Sequence, residues 1–98
     1  MNPVFNYDIN GFRGEIDNID DQLLALLNQR AKIAIKLGEL KTAVQAEDIG
    51  FRVSSRENSI IERLEQTSTG PFPVGAIKMV FNEIFKACLS IQKYSDSM

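Results

Sequence analysis

Ile16, Ile19, Leu23, Leu27, Arg30, Ala34, Leu37 and Lys41 follow one another in steps of three and four, the spacing of one face of an α-helix. The pattern predicts a long helix from about Gly11 to Val44, capped at its start by Asp8 or Asn10. Gly14 and Gly38 lie inside it, and each is less favourable there than Ala by about 1 kcal/mol, so packing has to hold the helix together. Glu15, Gln22, Lys32, Lys36 and Glu39 supply a polar face. Phe12, Leu24, Leu26, Ile33, Ile35 and Leu40 fall off the main stripe, and the resulting apolar width asks for burial on more than one side.

The rest of the chain divides in the same way. The polar segment from Gln45 to Phe51, with Gly50, predicts a loop. Ser54 followed three residues later by Glu57 has the form of a capping box and predicts a second helix, with Ile60, Ile61 and Leu64 on its inner face. The run Thr67-Ser68-Thr69-Gly70-Pro71 ends it. Pro73 suits the first turn of a third helix, whose inner face is Ile77, Phe81, Ile84, Phe85, Cys88 and Gln92. With no alternating stretch of useful length and no repeat, the expected class is all-α, one domain over residues 1–98, with one long and two shorter helices. At 1.5 Å per residue they span about 50, 20 and 30 Å. Two short helices cover only part of so long and broad a partner, and a homodimer with paired long helices would supply the rest.

Composition narrows the chemistry. A net charge of −2 gives no electrostatic footprint for nucleic acid. No run of eighteen apolar residues offers a membrane span, and the first ten residues lack the form of a secretory signal. The single cysteine, Cys88, has no internal disulfide partner, which fits a reducing cytoplasm. The chain has no histidine. A Ser-His-Asp triad, a Cys-His pair and a His-ligated metal are therefore excluded, and a reaction without proton transfer suits the composition better.

Polar groups then stand out where the pattern asks for apolar ones. Arg30 and Lys41 lie on the stripe eleven residues apart, about 16 Å along one face. A cation turned toward a core is costly unless an anion meets it. Arg56 sits at the start of the second helix, where free N–H groups favour an anion, and Gln92 brings a donor and an acceptor from the third. These groups describe a small cationic pocket for an anionic small molecule. Arg13 is about 25 Å from Arg30 along the same helix and about 100° around it, so it joins such a pocket only if a second copy delivers it. Taken singly, each residue has a plainer role: Arg and Lys snorkel from the edge of a stripe, Glu57 caps, Cys88 fills a core, and Gln92 marks a frayed helix end.

The spacing Arg13-x-x-Ile16-x-x-Ile19-Asp20, Leu23-Leu24-x-Leu26-Leu27-x-x-Arg30, then Lys41, resembles the opening helix of the all-helical chorismate mutases. Arg56-Glu57 resembles that family's second-helix pair. Gly70-Pro71-Phe72, Ile84-Phe85-Lys86-Ala87 and Gln92 resemble a branch often fused to DAHP synthase, which opens the shikimate pathway. The likeness runs from about Phe12 to Lys93. It implies an intertwined homodimer of three-helix chains that rearranges chorismate to prephenate, a pericyclic step without acid, base or cofactor. By position, Arg13 of the second copy and Arg30 would hold the substrate carboxylates. Lys41 and Gln92 would meet the ether oxygen, Lys41 also helping with a carboxylate. Glu57 and the Val53 N–H would hold the ring hydroxyl, and Arg56 would complete the wall. The chain departs from the pattern at Val53, where an acid is common, at Cys88, where a small hydroxyl or small residue is usual, and in a loop before Arg56 about three residues longer than usual. Three other roles compete: an isochorismate pyruvate lyase on the same scaffold, a prephenate-binding regulatory module of a synthase, and a plain helical dimer without a ligand.

Overall fold

The computed structural model describes the backbone of residues 3–43 and 54–97 and the side chains of residues 8–40 and 54–92. The expected loop from Gln45 to Phe51 and the site residue Val53 lie outside the described residues, as does the side chain of Lys41. Every described element is helical: α1 spans Pro3–Ala43, α2 Ser54–Thr67 and α3 Val74–Ser97. No helix among the described residues is long and apolar enough to cross a membrane. The chain divides into two compact units, residues 1–30 and 31–98.

α1 begins earlier than its pattern suggests. Asp8 and Asn10 lie within the helix rather than capping it. Nothing between Pro3 and Gly11 breaks the helix once it has started.

In the first unit, side chains from Asp8 to Gln29 are exposed, and only Arg30 is half-buried. The stripe residues Ile16, Ile19, Leu23 and Leu27 are between 41% and 56% exposed, and Phe12 reaches 62%. A single helix has no interior in which to bury them.

The second unit holds the core. Ile60 and Ile61 of α2 and Phe85 of α3 are buried together, with Leu64 and Phe81 packed against them. Burying side chains of this size stabilises by about 1.5–3 kcal/mol each. The Phe81 and Phe85 rings lie 6.1 Å apart and are tilted by 57°, an arrangement that sets ring edge toward ring face. On α3 the predicted inner face is the observed one: Ile77, Phe85, Cys88 and Gln92 are buried, and Phe81 and Ile84 are half-buried.

The connection between α2 and α3 is short because its residues stop one helix and start the next. The Thr67 hydroxyl donates to the Arg63 carbonyl at 2.9 Å, and the Ser68 N–H reaches the Leu64 carbonyl at 3.0 Å. Gly70 then adopts φ +75°, a left-handed conformation that strains any residue with a Cβ. The Ala76 N–H donates to the Pro73 carbonyl at 3.0 Å, which opens α3.

Candidate functional site

The second part of α1 meets α3 where two small residues, Ala34 and Gly38, lie against Gln92. Ala34 and Gly38 are buried, and Ala31 and Ile35 are half-buried. Leu37, which the apolar stripe turns inward, is 46% exposed. The packed face is therefore rotated from the predicted one: Ala34 belongs to both, but Ala31 and Gly38 replace the larger residues. Small side chains let two helix backbones approach closely, which a stripe drawn through Leu and Ile does not register.

Gln92 lies at this contact. It is 6% exposed and the only buried polar side chain among the described residues. Its Nε2 donates to the Ala34 carbonyl at 3.0 Å. The acceptor fixes which way the amide points, because a carbonyl oxygen has nothing to give another carbonyl oxygen. One N–H of the amide is thus engaged, and the second N–H and Oε1 are held in a set direction. A frayed helix end is ruled out for this residue. Cys88 precedes it by one turn on the same face of α3 and is also buried.

The remaining predicted residues divide by environment. Glu57, in the first turn of α2, is half-buried, while Arg56 beside it is exposed. Arg30 is half-buried and Arg13 exposed, both in the first unit. Lys41 lies in the last turn of α1, three residues beyond Gly38. Gln92 and Cys88 thus share the α3 face, and Gln92 is tied to α1. Gly38 is the residue that pattern reasoning missed; Ala34 is on the predicted stripe, but its carbonyl gives no sign there of being the anchor for Gln92. The available signal was the spacing of Ala31, Ala34 and Gly38, in steps of three and four, opposite a polar residue on a buried stripe.

The chain matches the family model described as chorismate mutase type II over residues 12–93. It belongs to the chorismate mutase type II family. The matched span takes in all eight candidate residues, from Arg13 to Gln92. The chain is similar to a bifunctional chorismate mutase/prephenate dehydratase of Aquifex aeolicus, with 37% identity over 90 residues, 88% of this chain and 24% of that protein. It is also similar to the chorismate mutase (form II) of Thermus thermophilus, with a TM-score of 0.81 and 30% identity, covering 88% of this chain and 94% of that one. The Helicobacter pylori chorismate mutase, solved in complex with prephenate, matches with a TM-score of 0.80 and 26% identity over 91% of this chain and 93% of that one. The chain spans about a quarter of the length of the bifunctional relatives it matches, whose second activity is prephenate dehydratase, not DAHP synthase.

Proposed function

We propose that this chain is a chorismate mutase, an isomerase that rearranges chorismate to prephenate in the cytoplasm on the route to phenylalanine and tyrosine. The observation that carries the proposal is the buried Gln92 amide, anchored on the Ala34 carbonyl, in a chain of this family. Such an amide is a preorganised donor, fixed before the substrate arrives.

The rearrangement breaks a C–O bond and forms a C–C bond within one molecule, so the protein has two tasks. It folds the extended dianion into the conformer that reacts, and it meets the negative charge that grows on the ether oxygen. Arg30 and Arg13 hold the two carboxylates. Lys41 and the free N–H of Gln92 face the ether oxygen, and Lys41 also steadies a carboxylate. Glu57 and the Val53 N–H take the ring hydroxyl, Arg56 completes the cationic wall, and Cys88 lines the carboxylate end. None of these roles needs a metal or cofactor.

Arg13 reaches this pocket from a second copy. The bare apolar length of α1, from Ile9 through Leu27, supports a homodimer with paired long helices, because a second α1 laid along it removes those side chains from water. The bifunctional relatives also support a larger protein or a docked partner enzyme, either a prephenate dehydratase or the DAHP synthase suggested by Gly70-Pro71-Phe72.

Complementation tests both proposals. Arg13→Ala and Lys41→Ala chains, each expected to be nearly inactive alone, are mixed, unfolded and refolded together. If each site takes Lys41 from one chain and Arg13 from the other, half the dimers are mixed and each has one intact site. About a quarter of wild-type chorismate turnover returns. No recovery overturns the shared site, and full activity of Lys41→Ala overturns the catalytic assignment. Salicylate and pyruvate from isochorismate, with chorismate untouched, would identify a lyase instead.

A further inference from the structure

We infer that Gly38 is a positioning residue for the reaction: its missing Cβ lets the stem of Gln92 lie close enough to α1 for the amide to dock on the Ala34 carbonyl. A Cβ at position 38 would lie 3.2 Å from Gln92 Cγ, 3.3 Å from its Cβ and 3.5 Å from its Cα. Carbon atoms in comfortable contact stand about 3.5–4.0 Å apart. The crowding involves the Gln92 Cβ as well as the flexible Cγ, and a change of rotamer does not move the Cβ. The backbone of α3 has to retreat by a few tenths of an ångström.

That retreat matters because the amide depends on a bond of 3.0 Å between Nε2 and the Ala34 oxygen. Lengthening it takes the contact toward the limit of a hydrogen bond and frees the amide to turn. Both N–H groups are then directed less well, including the one that faces the pocket. Gly11, Gly14, Gly70 and Gly75 have nothing within 4 Å of an added Cβ, so among the glycines described Gly38 alone is pressed against another helix. Glycine is a poor helix former in a helix interior. Its presence at this point of α1 is explained by the side chain that passes over it.

The rate prediction rests on the mutase proposal, and the geometric prediction does not. Gly38→Ala is compared with Gly75→Ala, a control in the first turn of α3 with open space around it. Gly38→Ala is expected to lower kcat on the order of 10²-fold, with a much smaller change in KM, while helical content by circular dichroism stays at the wild-type level. Gly75→Ala is expected to leave both constants unchanged. In a Gln92→Ala background, Gly38→Ala is expected to add almost no further loss. An unchanged kcat in Gly38→Ala, or the same fold loss with and without Gln92, overturns the inference.

Nuclear magnetic resonance of the Gln92 side-chain amide judges the geometry without turnover. Slow exchange with water in the wild type, with a coupling across the hydrogen bond to the Ala34 carbonyl, supports the anchor. Faster exchange in Gly38→Ala supports the role of Gly38. Free-amide exchange in the wild type overturns the inference even if Gly38→Ala fails to fold. A wild-type chain that shows the anchor but leaves chorismate untouched removes the mutase proposal and leaves the geometry standing.

Discussion

Replacing Gln92 by Leu separates chemistry from packing, because the two side chains are similar in bulk and the position is 6% exposed. The change removes the 3.0 Å bond to the Ala34 carbonyl, a loss of about 1 kcal/mol. That carbonyl lies inside α1, so the N–H four residues further on remains its regular partner and no orphaned acceptor is left. In return, an amide leaves a buried position and an apolar group takes its place, a gain of about 0.5–2 kcal/mol. The two nearly cancel, and the net change in stability is expected to stay within about 1 kcal/mol, or about 4–8 °C in Tm for a domain of this size. Turnover behaves differently. Losing one preorganised donor to developing charge lowers kcat about 10²–10³-fold, about 2.7–4 kcal/mol of barrier. Thermal unfolding by circular dichroism and loss of the conjugated-diene absorbance of chorismate read the two effects separately. A kcat within about threefold of wild type, less than about 1 kcal/mol, refutes the assignment of Gln92 to the reacting oxygen. A large fall in Tm shows instead that the residue mainly holds the fold.

Phe85→Ala empties the centre of the α2–α3 core and removes the tilted contact with Phe81, with an expected loss of about 3–5 kcal/mol in urea unfolding. Gly70→Ala meets no steric neighbour but forces a Cβ into a φ of +75°, so urea unfolding is expected to show a loss of about 1–2 kcal/mol with turnover unchanged. Leu23→Asp, at a position 53% exposed, puts a charge into the bare apolar stripe of α1. It is expected to shift the mass in sedimentation equilibrium from two chains to one and to abolish turnover, and a dimer of wild-type affinity would contradict the proposed pairing.

The third helix was almost fully legible in the sequence. Its inner face from Ile77 to Gln92 appears in the structure residue for residue, because large apolar groups at helical spacing both signal burial and cause it. The end of α2 is equally plain, fixed by the breakers after Thr67. α1 was harder for two reasons. It extends back to Pro3, outside the periodic stretch. Its packed face from Ala31 to Gly38 is built of small residues, and hydrophobic periodicity gives weight to large ones. Periodicity therefore turns Leu37 inward, though it is 46% exposed, and counts Gly38 as a weakness of the helix, though the Gln92 side chain lies against it. At the candidate site, helical spacing put Gln92 on the buried stripe, where it is found. Its hold on the Ala34 carbonyl was invisible, since a bond across 58 residues has no local signature.

The same separation shapes how the protein is made. α2 and α3 are neighbours in sequence and close their core through nearby residues, so they can collapse soon after both have left the ribosome. α1 emerges first, and the residue that ties it down follows 58 positions later. At about 5–20 residues per second, roughly 3–12 s pass between the synthesis of Ala34 and that of Gln92. For those seconds the tie that α3 supplies is missing, and the exposed apolar stripe of α1 is open to chaperones or to a neighbouring chain on the same message.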